Sequence, residues 1–167
     1  MRAEKSGGGE RLRIRACRGP EEYPSLVAIW RSAVDATHGF LAAEDRAEIE
    51  AHLIPEYFPH VDLVIAERGG SPVGFAGVAA SKLEMLFVDA PARGSGVGSA
   101  LVAHVVEVSG VDAVDVNEHN DEATTFYRRR GCVIIGRSPL DDQGRPYPIL
   151  HLSREGYSQS ACVSGAL

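Results

Sequence analysis

The chain has 167 residues, 44% of them hydrophobic and 24% charged, a balance that predicts one domain with a true core and leaves little room for two. A formal net charge of −6 argues against a nucleic-acid partner, which would require a basic stripe, and it favours a cationic substrate such as an amine. No apolar run approaches the roughly 18 residues of a membrane span, and no signal-type apolar stretch opens the chain. Cys17, Cys132 and Cys162 lack the paired spacing of a zinc or disulfide framework, so the reading is a cytoplasmic chain with reduced thiols, no membrane partner and no metal.

Residues 1–9, with Ser6-Gly7-Gly8-Gly9, read as a disordered lead-in, residues 10–153 as the domain and 154–167 as a polar tail. Arg11 to Ala16 alternates with the period of an edge strand. From Pro20 the residues Leu26, Ile29, Trp30, Ala33, Val34 and Thr37 recur at helical steps, and Gly39 stands where a cap belongs. A second helix is expected from Ala43, with Ile49 and Leu53 inward and Pro55 as its stop. Val61–Ala66 and Val73–Ala79 flank Arg68-Gly69-Gly70-Ser71-Pro72 and predict a hairpin. After a break at Ser81-Lys82, Leu83–Val88 is almost continuously apolar, as a central strand covered on both faces would be. A glycine loop leads to a helix with Val97, Leu101, Val105 and Val108 on one stripe. Strand Val111–Val116, helix Asn120–Arg130 and strands Cys132–Gly136 and Tyr147–Leu152 complete the order. It predicts an α/β fold whose mixed, mostly antiparallel central sheet carries helices on both faces.

The loop Arg93-Gly94-Ser95-Gly96-Val97-Gly98-Ser99 joins the buried strand to its helix. Alternating glycines let backbone approach a ligand, and the open N–H groups and positive dipole end of a helix's first turn favour an anion. The same glycines also suit a tight turn without a ligand. A nucleoside-triphosphate loop fails because no lysine stands between Gly98 and Ser99. A dinucleotide fingerprint, and with it a nicotinamide or flavin oxidoreductase, fits poorly: its third glycine position is Ser99, and five residues separate Val88 from Gly94.

About 20 residues further on lies Asn120-Asp121-Glu122-Ala123-Thr124-Thr125-Phe126-Tyr127. A helix there would put Asn120, Ala123 and Tyr127 on one face. Taken alone, Phe126-Tyr127 also reads as a pair of core aromatics on a helix ended by Gly131. The loop's Arg-x-x-Gly-x-Gly and this second block, in this order and spacing, resemble the GCN5-related N-acetyltransferases over residues 11–152. Ser32–His38 and Asp141–Pro148 are also similar to a bacterial subgroup of that family, the YjaB-type acetyltransferases. Cys132 departs from the pattern, standing where the family usually has an aromatic residue.

The resemblance implies the acyl-CoA N-acyltransferase fold and transfer of an acetyl group from acetyl-coenzyme A to an amine acceptor, a small molecule or a peptide. It implies that Arg93, Gly94, Ser95, Gly96, Val97, Gly98 and Ser99 hold the pyrophosphate. The backbone of Leu86, Phe87 and Val88 would pair with the pantetheine arm, Asn120 would hydrogen-bond that arm, and a donor near Leu86 would polarise the acetyl carbonyl. Tyr127 would protonate the departing thiolate. An alkyl ammonium must lose a proton before it attacks; Glu84, the one charged residue within the buried strand, and the pair Asp35 and His38, one helical turn apart, are the candidate bases. The family often forms homodimers, so one is entertained here. The alternative function is a module that binds and senses acyl-coenzyme A without turnover; retention of both Tyr127 and Asn120 counts against it.

Overall fold

The computed structural model describes residues 10–154. The lead-in 1–9 and the tail beyond Arg154, with Cys162, lie outside the described residues. Strands β1 (Leu12–Ala16), β2 (Asp62–Arg68), β3 (Ser71–Ala79), β4 (Lys82–Val88), β5 (Ala113–Asn117), β6 (Cys132–Ser138) and β7 (Ile149–Arg154) form one sheet in the order β1-β2-β3-β4-β5-β7-β6. Every neighbouring pair is antiparallel except β4 with β5. Helices α1 (Tyr23–Thr37) and α2 (Ala43–His52) lie on one face, α3 (Val97–Ser109) and α4 (Asp121–Arg128) on the other. This is the predicted mixed sheet with helices on both faces.

The side-chain period of the strands divides the core in two. On β2, Leu63 and Ile65 join Leu26, Ile29, Trp30 and Val34 of α1, whereas Val64 and Ala66 join Val97, Leu101 and Val105 of α3. The central strand β4 is therefore buried on both sides, as its apolar run predicts. Its alternation carries one interruption. Val78 pairs with Leu83 and Gly77 with Met85, so Glu84 is an extra residue with no partner on β3. This bulge turns Leu83 to the α3 side and Met85 to the α1 side, although residues two apart on a regular strand share a face.

Several local expectations are corrected. The α-helix ends at His52, beside the expected stop, but the helical path continues: Pro55 sits inside a π-helical turn, Leu53–Tyr57, that closes from Phe58 N–H to Leu53 O. The hairpin turn is only Gly69-Gly70, both at positive φ (58° and 78°). The break between β3 and β4 falls at Ala80-Ser81, and Lys82 already belongs to the strand. Val108 is off the buried stripe at 68% exposure, because the last turn of α3 runs past the edge of its partners. Cys132 packs against the α3 side of the core. Where a larger side chain would fill space, it borders a hollow of about 210 Å³ with Val102, Val106, Val111 and Tyr127.

Candidate active site

The parallel pair β4 and β5 is bonded only at its start, Lys82 with Ala113 and Leu83 with Val114. Beyond that point the strands separate. Among the described residues, β4 from Met85 to Val88 has a strand partner on the β3 side alone, so the backbone of Leu86, Phe87 and Val88 borders an open slot. The slot widens into a cleft walled by Glu84 to Phe87, Asp115 to Asn117, Trp30, His38, Phe40, Asn120, Ala123, Tyr127 and Tyr147.

Glu84 stands at the mouth of this separation, aimed there by the bulge. It is half-buried, and loss of water pushes its carboxyl up to about 7; Lys82 acts in the opposite direction, while Asp115 and Asp142 add to the rise. A carboxyl with that value can exchange a proton near neutral pH.

The second candidate base does not assemble. His38 ends α1 with φ −111° and ψ 46°, leaving the helical path, so the one-turn spacing no longer brings it to Asp35. Asp35 instead points to solvent and meets Arg46 at 2.8 Å. The His38 ring lies between Phe40 and Phe87, its Nδ1 at 2.6 Å from Thr37 Oγ1. Thr37 already donates to Ala33 O, so His38 Nδ1 is assigned as the donor and Nε2 is left as an acceptor. Burial lowers the imidazole to about 4, which makes it a neutral wall of the cleft at pH 7.

Asn120, Ala123 and Tyr127 do meet in the cleft. Asn120 lies just outside α4 as its N-cap: Oδ1 accepts from the N–H of Ala123 at 3.0 Å, which fixes the side chain and leaves its amide hydrogens for another partner. Tyr127 is 6% exposed, with its ring edge-on to Phe126. Burial, with a smaller contribution from Cys132, holds the phenol well above its usual value, so it stays protonated. Among the described residues its hydroxyl has no hydrogen-bond partner.

The glycine loop enters α3 through Gly94 (φ 73°) and Gly96 (φ 88°), and no side chain caps the helix. Its first-turn N–H groups are thus unclaimed by a cap. Gly98 has ordinary φ, and a Cβ there would make ordinary contact with the Phe126 ring at 3.5 Å, so the protein's own packing does not require glycine at this position. Val97 turns its side chain into the core and faces a ligand only with backbone. The Arg93 guanidinium is bonded to Glu122 of α4, tying the two motif blocks together. Arg68 donates to Ser95 Oγ at 3.2 Å, and Arg130 bonds Ser99 Oγ while stacking on Phe126 at 3.4 Å. Neither arginine is identified as a site residue in the sequence, where Arg68 belongs to the hairpin turn and Arg130 to the end of a helix.

Four further residues of the site come from register and loop closure. Tyr147 bonds Asp45 and accepts from Ala42 N at 3.1 Å, and Arg145 reaches Glu48 at 2.9 Å, joining the β6–β7 loop to α2 over the cleft. Phe40 lies 6.3 Å from the Tyr147 ring and 5.7 Å from His119. Asp115 is a cleft residue whose one sequence signal is a lone carboxylate inside an apolar strand.

A family model described as an acetyltransferase (GNAT) domain matches residues 59–132. Escherichia coli peptidyl-lysine N-acetyltransferase YjaB is 42% identical over 137 residues, covering 81% of this chain and 92% of its own. The solution structure of apo-form YjaB from Escherichia coli superposes with a TM-score of 0.79 at 41% identity, over 88% of this chain and 99% of that one. PaiA N-acetyltransferase from Thermoplasma acidophilum, crystallised with coenzyme A, shares the fold at a TM-score of 0.63 and 17% identity, covering 84% and 98%.

Proposed function

Because this chain belongs to the GCN5-related N-acetyltransferase family, we propose that it moves the acetyl group of acetyl-coenzyme A to the ε-amine of a lysine in a peptide or protein, by direct attack in a ternary complex. The observation that carries the reading is the one cleft, opened where β4 and β5 separate, that Glu84 and Tyr127 both line. The lysine acceptor is taken from the relatives' activity and is compatible with a narrow cleft walled by Trp30, Phe40 and Phe87, which suits an alkyl chain.

The open backbone of Leu86 to Val88 and the free amide hydrogens of Asn120 suit a pantetheine arm, and Gly94 to Ser99 with the first turn of α3 suit a pyrophosphate. Arg68 and Arg130 stand beside that loop as added cations. Glu84 takes one proton from the lysine ammonium, directly or through water, and the neutral amine attacks the thioester carbon. A backbone N–H of β4 near Leu86 steadies the oxygen as charge collects there. The C–N bond forms, the C–S bond breaks, and Tyr127 gives its proton to the leaving thiolate, while the second proton of the attacking nitrogen passes through water to the phenolate, leaving a neutral amide, a free thiol and a restored phenol. The raised phenol fits this role because it remains a donor at neutral pH.

A screen of amines that follows thiol release tests the assignment, run on wild type and Tyr127→Phe with lysine peptides, free N-termini, polyamines and aminoglycosides. Turnover with internal lysine is the expected result. Acetyl-coenzyme A binding without turnover of any acceptor would favour a sensing module.

A further inference from the structure

One row of polar side chains crosses four strands on the sheet face that carries the acceptor side of the cleft. Lys82 of β4 forms an ion pair with Asp115 of β5. Asp115 Oδ1 accepts from His151 Nδ1 of β7 at 2.7 Å, and His151 Nε2 meets Ser138 Oγ of β6 at 2.7 Å. Register builds the row. Asp115 is directly opposite His151, and His151 is opposite Gly136, against which the imidazole lies.

The order Ser138, His151, Asp115 has the spacing of a nucleophile triad. However, Ser138 lies on the edge strand and is not among the residues that line the cleft, so it has no thioester to attack. The member that reaches the cleft is Asp115, whose side chain is 8% exposed. Leu83 and Val114 form the last bonded pair of β4 and β5, and Glu84 and Asp115 are the next residue on each strand. The two carboxylates therefore stand together where the strands part.

We propose that Asp115 is a positioning residue for acetyl transfer: clamped between Lys82 and His151, it fixes a negative charge beside Glu84 that makes Glu84 the stronger base, and Lys82 opposes that effect. The proposal rests on Glu84 being the base. A fixed like charge disfavours ionisation of its neighbour, and a fixed cation favours it. The charged groups bearing on Glu84 are Lys82 on its own strand, Asp115 on β5 and Asp142 on the β6–β7 loop. His38 just past α1, Tyr127 of α4, and Asp141, Arg145 and Tyr147 of the β6–β7 loop line the same cleft. Among these, Asp115 is held on both carboxylate oxygens, one by Lys82 and one by His151, so its charge cannot swing away.

The test is the pH profile of kcat/KM for a lysine peptide at saturating acetyl-coenzyme A, with full-length wild type, Asp115→Asn, Lys82→Met and the double variant, each checked for folding and for its KM for acetyl-coenzyme A. Asp115→Asn should move the acid limb to lower pH by about one unit, with a lower plateau from the weaker base. Lys82→Met should move it to higher pH, and the double variant should return it towards wild type. An unmoved limb in folded Asp115→Asn, or single variants shifting in the same direction, overturns the proposal. If Asp115→Asn does not fold, the comparison of Lys82→Met with the double variant decides: a lower limb in the double variant supports the role, and coincident limbs refute it. Glu84→Gln separates this from the underlying reading. If the acid limb persists in that variant, Glu84 is not the base; if it vanishes, the shifts above judge Asp115 alone.

Discussion

Replacing Glu84 by glutamine should stabilise the fold in mildly alkaline solution while removing the base. Burial raises this carboxyl to about 7 from an ordinary 4.5. A carboxyl whose folded-state value is raised contributes its full stability below the unfolded value of 4.5, and that contribution is lost as the pH rises through about 7. The whole shift corresponds to about 3.4 kcal/mol at 1.36 kcal/mol per unit. Glu84 is only half-buried, so water screens the charge and roughly half of that, about 1.5 kcal/mol, is the usable figure. An amide never ionises. Glu84→Gln should therefore exceed wild type by about 1.5 kcal/mol near pH 8.5 and by no more than a few tenths near pH 5, which lies just above the unfolded value. Urea unfolding at the two pH values measures this, and acetyl transfer should fall by about a hundred- to ten-thousand-fold in the same variant. Equal stability differences at both pH values, or a variant weaker than wild type in alkali, would show that the carboxyl is solvated and would remove the physical ground for making it the base.

Tyr127→Phe should lower turnover by about a hundred- to ten-thousand-fold with coenzyme affinity preserved, as read by thiol release and calorimetry; loss of binding instead would make the ring structural. Gly96→Glu should weaken coenzyme A binding, but at φ 88° it also strains the turn, so Ser95→Glu is the companion that adds the charge without a left-handed backbone, with Ser95→Ala as the control for the hydroxyl's bonds to Arg68 and Ala92 O. Unchanged binding in both folded variants would remove the pyrophosphate from this loop. Ser81→Gly should raise stability by about 1 kcal/mol, because Ser81 turns between β3 and β4 at φ 62°; a denaturation midpoint at or below wild type would refute that.

The parts of the fold legible in the sequence are those where one period runs uninterrupted. The stripe on α1 and the apolar run of β4 fall where expected because burial on one or both faces is written in spacing. The glycine loop and the Asn120 to Tyr127 block were legible because each serves a local backbone need, a left-handed turn and a helix cap. What was not legible depends on pairing. Asp35 and His38 separate because the chain leaves the helix at His38, one residue before the Gly39 that marks the helix end, and helical spacing no longer holds there. Lys82, Asp115, His151 and Ser138 are 33, 36 and 13 positions apart in turn, and only the order β4-β5-β7-β6 makes them neighbours.

The bulge at Glu84 shows why site and fold cannot be read separately here. A regular β4 would send Leu83 and Met85 to one side and leave Glu84 on the other, packed against a helix with its charge unpaired. The extra residue lets both apolar neighbours bury, one against each helical layer, and releases Glu84 from either core. It also falls at the point where β4 and β5 stop pairing, so the freed carboxylate meets the slot whose backbone suits a pantetheine arm. Glu84 is raised in proton affinity first by the partial loss of water that this position imposes, with Asp115 and Asp142 adding to the rise. The chemistry at this cleft thus follows from where an irregular strand is forced to put its one carboxylate.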